Sequence, residues 1–450
     1  MTNAKRVWMH DLLMLVVLAA ATYFRVVGMN WDADQHLHPD ERFLTMVETA
    51  LQVRKCAVPS LPVEACPADQ LRWLSLGDYL DTRTSTLNPP NRGYGFFVYG
   101  DFPIVLVRYV AEWLGQTGYD QVHLVGRQIS ALSDLLTIML IYVIAARLYD
   151  RRVGLLAAAF SAVAVLQIQQ SHFFTVDTVA NLFMFVALLF ATEIMRNGAA
   201  GRLLRRQGQT AAATEEAPWL STARDAPDWR AVASRGWNEL RDLGRDPFAL
   251  LSLGFGVSMG LAMASKLNAA PLALLLPAAF AARYFISDRE RMPGTDAAGA
   301  SAYWSRVLVY LAVGALFALL TFRFAQPYAF DGLGLSPAWL GNIRDLRTQS
   351  SGNMDVPFAL QWARRSPFFS LKNLTLWGLG LPLGILAWTG FVFMAGRILK
   401  GDLRHVLLWG WTALYFSWQS LVFNPTMRYQ LPVYPLLCMM AGWFLVFLWQ

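Results

Sequence analysis

Four short stretches and one arginine hold the residues whose types and spacing could do chemistry. "NWDADQHLHPDERFL" (30–44) packs His36, His38, Asp40, Glu41 and Arg42 into seven positions. "QIQQSHFFTVDTVANLF" (167–183) supplies His172 and Asp177, and "GLAMASKLNAAPLALLLP" (260–277) supplies Lys266. "FNPTMRYQLPVYPLL" (423–437) adds Arg428 and Tyr429, and Arg127 lies in "GRQISALSDLL". A carboxylate can remove a proton from an acceptor hydroxyl, and cations can stabilise the charge that develops on a departing phosphate. Transfer from a phosphorylated lipid needs that set, provided all of it meets on one side of a membrane.

Each feature also has a plainer reading. Pro39, followed by apolar residues at helical spacing (Phe43, Met46, Val47, Leu51), puts Asp40 and Glu41 in the first turn of a helix, where the macrodipole favours carboxylates without any catalytic role. His36 and His38 with Asp40 are candidate ligands for a divalent metal ion, yet no Cys or further His nearby completes a closed site. Asp177 at the end of a membrane span must be solvated or paired, or else caps the helix that follows. Arg127 either snorkels to lipid headgroups or holds a phosphate.

The elements that must position these residues are membrane helices. Hydrophobic residues make up 55% of the 450 and charged residues only 15%, against about 25% charged in soluble domains. Apolar runs at 7–27, 128–146, 153–171, 178–195, 248–265, 268–286, 307–325, 374–396, 405–423 and 431–449 are each long enough to cross a bilayer. Lipid offers backbone amides no partner, so the runs read as helices. The chain is therefore an all-α polytopic membrane protein with about ten or more transmembrane helices. It divides into a first helix (1–27), an outer loop (28–126), three helices (127–195), a cytoplasmic linker (196–247), three helices (248–325), a second outer loop (326–373) and three helices (374–450).

Arginine and lysine at 5, 6, 147, 151, 152, 196, 202, 205, 206, 283, 289, 291, 397, 400 and 404 flank alternate ends of the runs, which places those ends and both termini inside. The region 28–126 carries twelve Asp/Glu against seven Lys/Arg and so belongs outside. All the chemistry-bearing stretches then share the outer face, and the net charge of +7 reads as membrane orientation rather than nucleic-acid binding. "FFVYGDFPIVLVRYVAEWLG" (96–115) is interrupted by Asp101, Arg108 and Glu112, and reads as a helix on the outer surface anchored by Tyr109 and Trp113. The first run is taken as an uncleaved anchor rather than a secretory signal, because His10 and Asp11 interrupt its core. Cys56 and Cys66 in the outer loop are a candidate disulfide, with two free thiols as the alternative. Cys438 reads as a packing residue.

The order of these motifs resembles a known family. An acidic "PDER" follows the first span; "NPPN" precedes an aromatic surface helix; then come "GRQISALSDLLTIMLIYVIAARLYDRRVGLLAAAF", an outer Asp, "GLAMASK" and "MRYQLPVYP". The chain is similar to GT-C membrane glycosyltransferases of the protein O-mannosyltransferase type (glycosyltransferase family 39) and to the lipid A aminoarabinose transferases. The resemblance implies a GT-C bundle and inverting transfer of a hexose or pentose from a polyprenyl-phosphate donor to a hydroxyl of a protein, lipid or glycan. It implies Asp40 as the base, Glu41 as its helper, and Asp177 as the second outer acid. Arg127, Lys266, Arg428 and Tyr429 fall near the carrier phosphate, with His38, His172 and Arg42 in support. A divalent metal ion is the one candidate cofactor. The expected location is the bacterial inner membrane, with the active site on the outer face.

Segment 53–85 matches no motif of that family, and the abrupt end at "FLWQ" without a soluble C-terminal domain leads us to expect a fragment. Two other classes compete. A transporter or flippase of lipid-linked glycans would carry its ionisable residues near mid-membrane on broken helices, and an envelope-assembly subunit would need no base at all. Neither the sugar nor the acceptor is readable.

Overall fold

A computed structural model describes residues 3–58, 61, 63–196, 237, 241–289 and 297–450. Among the described residues, the α-helices of seven residues or more are α1 (Asn3–Val26), α2 (Pro39–Ala50), α3 (Asp101–Leu114), α4 (Tyr119–Leu148), α5 (Arg151–Ala162), α6 (Val165–Ser171) and α7 (Asp177–Arg196). They continue with α8 (Pro247–Ser265), α9 (Leu275–Arg289), α10 (Ala297–Ala325), α11 (Pro337–Gln349), α12 (Leu381–Leu399), α13 (Val406–Leu421) and α14 (Tyr434–Trp449). Two small antiparallel hairpins, Arg54–Cys56 with Leu71–Trp73 and Phe330–Asp331 with Gly334–Leu335, and several short helical turns accompany them. The expected linker 196–247 lies mostly outside the described residues.

Among the described residues, eight helices are long and apolar enough to cross a membrane, or nine if the pair α5 and α6, bent by 60°, counts as one span. That pair is a broken span rather than a re-entrant loop, because its two ends meet opposite ends of α1. Arg151 pairs with Asp11 at 3.1 Å, and the His172 imidazole lies 2.9 Å from the Val27 carbonyl oxygen. The break frees helix carbonyls that lipid cannot satisfy. Arg25 on α1 supplies the missing donors, giving hydrogen bonds to the Ala162 oxygen (2.9 Å) and the Ser161 oxygen (3.2 Å), while its Nε binds Asp134 at 2.7 Å. Gln167 then bridges Asp134 and Ser161. The remaining expected run, 405–423, is α13, whose 16 residues fall short of the length expected of a span, although it too runs from one end of the bundle to the other. His405 at its start touches Tyr149, and Val422 just past its finish accepts from Arg365.

The bundle centre is apolar. Ile141 and Ile144 of α4, Phe185 and Leu188 of α7, Phe248 and Phe255 of α8 and the stretch Leu436–Ala441 of α14 are all buried together. α8 and α10 approach closely because Gly256 and Gly260 lie directly against the backbone of Gly314 and Ala318, where a side chain would collide.

Three spans begin irregularly at the same end of the bundle. Residues 267–274 and 427–433 are 3-10 turns containing Pro271 and Pro432, and the run expected at 374–396 is split by Gly380 in a left-handed conformation before Pro382 opens α12. Proline lacks the amide that would continue the ladder. The long connection between α1 and α4 packs at that same end, as does the segment after α10. α3 has 14 residues, about 21 Å, too short to span about 30 Å of hydrocarbon. It lies beneath α2, with Trp113 80% exposed at its far end. Cys56 and Cys66 form a disulfide that closes the loop between the paired strands, their Cα atoms 5.6 Å apart.

Candidate active site

The site grows from the first turn of α2. His38 caps the helix, its Nδ1 accepting from the Glu41 amide at 3.2 Å, and Pro39 follows with its φ already helical. Burial holds the His38 imidazole below its ordinary value, against the pull of the Asp40 carboxylate. A neutral ring is what an accepting Nδ1 requires. The ring also rests on Phe173, 4.4 Å between centroids.

The two carboxylates that follow point to different surroundings. Glu41 is fully buried and meets Arg127 through two bonds, Nε to Oε1 at 2.7 Å and Nη2 to Oε2 at 2.9 Å; the Phe174 amide adds a third at 2.9 Å. Arg127 also donates to Asp32 (2.9 Å) and to the Met29 oxygen (2.8 Å), beneath the Trp31 ring. Burial alone would raise Asp32, but the bonds from Arg127 and the Leu37 amide together outweigh it and hold the carboxyl below its ordinary value. Gly126 lets this knot close, since a side chain there would strike the Phe174 ring. Four of the five Arg127 donors are thus engaged inside the fold.

Asp40 instead faces a second cluster. Its carboxylate pairs with Arg428, both side chains about one quarter exposed, and accepts a bond from the Tyr99 hydroxyl. Burial, with the Asp40 charge next, pushes the Tyr99 phenol up and keeps it a donor. Asp177, at the first position of α7, pairs with Lys266 and also feels the charge of Arg428. Lys266 stands at the break between α8 and the following 3-10 turn. Its Nζ lies 4.4 Å from the centre of the Tyr429 ring, and the Arg428 guanidinium lies 5.5 Å from the same ring. The cluster thus holds two carboxylates and two cations around one aromatic face.

Other expected residues sit elsewhere. His172 turns both ring nitrogens toward backbone oxygens, Ile168 at 2.8 Å and Val27 at 2.9 Å, and so ties α6 to α1. Arg42 is exposed, with no side-chain ion pair among the described residues. His36 turns away from Asp40 and packs against Tyr119 and His123. Left-handed backbone at Ala33, Asp34 and His36 redirects the loop between His36 and His38. Among the described residues no three His, Cys, Asp or Glu side chains converge as metal ligands. Two contributors were not singled out in the sequence: Asp32, which shares the "NWDADQH" stretch, and Tyr99, hidden within the aromatic "FFVYGDFP".

Residues 110–204 match the family model described as dolichyl-phosphate-mannose-protein mannosyltransferase. No curated protein matches the chain. Among solved structures, the archaeal oligosaccharyltransferase AglB from Archaeoglobus fulgidus, in complex with an inhibitory peptide and a dolichol-phosphate, aligns with 99% of this chain and 51% of its own at a TM-score of 0.52 and 16% identity. The chain has the GT-C fold. ArnT from Cupriavidus metallidurans also aligns in its apo state, over 99% of this chain and 60% of its own, with a TM-score of 0.49 and 19% identity. ArnT bound to undecaprenyl phosphate gives 18% identity, 99% and 61% coverage, and a TM-score of 0.46. The chain thus spans about half to three-fifths of these proteins. In this GT-C bundle the two ion pairs join α2, the start of α7, the break after α8 and the turn before α14, so distant parts of the chain complete one site.

Proposed function

We propose that this chain is an inverting glycosyltransferase that moves a sugar from a polyprenyl-phosphate donor to a hydroxyl acceptor on the outer face of a bacterial inner membrane. The observation that carries the reading is the set Asp40, Asp177, Lys266 and Arg428 gathered around Tyr429 at one end of the bundle. Its orientation rests on the Lys/Arg excess at the opposite end. Arg428 and Lys266 bind the donor phosphate, which carries one negative charge as a diester. Asp40 takes the proton of the acceptor hydroxyl as its oxygen attacks the anomeric carbon. The bond from that carbon to the phosphate oxygen breaks, the phosphate keeps the electron pair, and attack from the opposite face inverts the centre. Asp177 holds Lys266 in place. Glu41 and Arg127, assigned to substrate by resemblance, act here as the frame that fixes the first turn of α2.

Ionisable groups at one end of the bundle argue against a transporter, whose sites lie at mid-membrane on broken helices. The deeper Arg25–Asp134 pair is buried, and Arg25 is tied by further hydrogen bonds to the carbonyls of the broken span. The test is transfer from a polyprenyl-phosphate sugar in vesicles holding the full chain. Asp40→Asn is expected to lower the rate by about 10²–10⁴-fold. Undiminished transfer by that variant overturns the assignment.

A further inference from the structure

A base whose oxygen is already bound by a guanidinium is poorly placed to receive a proton, and cations already paired with carboxylates are poorly placed to receive a phosphate. Both conditions hold here. Arg428 is paired with Asp40 and Lys266 with Asp177. With all four groups ionised the cluster is neutral, so it has no net charge with which to attract an anion. Yet both cations lie on the Tyr429 ring, Lys266 at 4.4 Å and Arg428 at 5.5 Å. An aromatic face supports a cation without fixing its direction, so either head can turn from its carboxylate and keep that contact. Asp40 for its part has a second partner in the Tyr99 hydroxyl, which stays when Arg428 leaves.

We infer that donor binding works by exchange of ion pairs: the phosphate takes Arg428 and Lys266 from Asp40 and Asp177, and so frees Asp40 to act as the base. This rests on the glycosyltransferase reading above. Charge balances along the path. The neutral cluster plus a phosphodiester carries one negative charge; after transfer Asp40 holds the proton, the released lipid phosphate carries two negative charges, and the total is unchanged. The exchange also imposes an order. Donor enters first, because Arg428 holds Oδ2 of Asp40 and part of its charge until the phosphate draws the guanidinium away.

The exchange makes an unusual demand: removing the charge of the catalytic carboxylate should strengthen binding of the phosphate. The experiment titrates a polyprenyl monophosphate into the purified full chain in detergent and reads the Kd of wild type, Asp40→Asn, Asp177→Asn, Arg428→Gln and Lys266→Met. Thermal unfolding of each variant confirms that it is folded. Asp40→Asn is expected to bind at least about fivefold tighter than wild type, the low end of ordinary coupling between two bound groups. Asp177→Asn shifts the same way, and Arg428→Gln binds about tenfold weaker. If Asp40→Asn and Asp177→Asn bind no tighter than wild type while Arg428→Gln binds weaker, the exchange is overturned and the phosphate site stands. If Arg428→Gln and Lys266→Met both bind as wild type, the phosphate site fails and the proposed function fails with it.

Discussion

Asp40 and Glu41 are consecutive residues in the same helical turn, and they belong to different machines. Glu41 is fully buried, receives Arg127 through two bonds and the Phe174 amide through a third, and so is held by three fixed donors. Asp40 is about one quarter exposed, has a single cation that touches an aromatic ring, and keeps a hydroxyl donor in reserve. The helix explains the difference: successive residues point about 100° apart, so one faces the packed seam between α1, α4 and the 172–176 turn while its neighbour faces the open cluster. A carboxylate held by three fixed donors is a strut. One with an exchangeable partner can do work.

The buried half is the more costly to disturb. Arg127→Met leaves the Glu41 and Asp32 carboxylates buried without their cation, a loss of about 3–5 kcal/mol. Arg428→Gln removes a partly exposed pair and should cost only about 0–1 kcal/mol. Thermal unfolding in detergent separates them. Equal stability of the two variants would mean that the knot around Arg127 is no more structural than the pair at Asp40.

A smaller effect sharpens the open half. Tyr99→Phe removes the hydroxyl that holds Asp40, a hydrogen bond to a charged group worth about 1.5 kcal/mol or about tenfold in rate. Positioning predicts that kcat falls while KM for the donor stays unchanged. A rise in KM with kcat intact would reassign Tyr99 to donor binding.

Much of this architecture is readable in the sequence, and the unreadable part has a physical cause. The apolar runs are long and continuous, so their periodicity reports helices with little ambiguity, and the Lys/Arg bias sorts their ends. The residue types in "PDER", "GLAMASK" and "MRYQLPVYP" declare charge at one face. Partners are another matter. Arg127 and Arg428 look alike as arginines at span ends, yet one is fully buried between carboxylates 86 and 95 positions earlier and the other is not. Such pairing depends on how helices rotate against each other, which no local pattern encodes. His36 and His38, two residues apart, read as a ligand pair until left-handed backbone turns one away. Tyr99 was invisible because an aromatic residue beside a membrane is expected for packing alone.

A third carboxylate at a helix start tests how far the same logic extends. Asp101 opens α3 as Asp40 and Glu41 open α2, and it is buried like Glu41, but its contacts are neutral: Oδ2 accepts from the Tyr328 amide at 3.3 Å, and its own amide donates to Gln326 at 2.7 Å. Without a cation, burial dominates and pushes the carboxyl up to about 8. The sign follows from which state holds the proton. Between the ordinary value of 3.8 and about 8 the folded protein keeps the Asp101 proton and the unfolded chain does not. This contribution to stability is therefore complete below the ordinary value and is lost as pH rises through about 8. His38 contributes the opposite slope, losing stability as pH falls below 6.5, but it does so equally in any Asp101 variant. Asp101→Asn keeps the carbonyl that accepts from Tyr328 and cannot ionise, so the difference between variant and wild type isolates the single group. The variant should match wild type near pH 4 and gain on it steadily to pH 8, with no change in transfer from the donor at any pH where both are folded. Parallel unfolding curves across that range would mean that Asp101 has a cation the folded chain brings to it, and that it belongs with Glu41 after all.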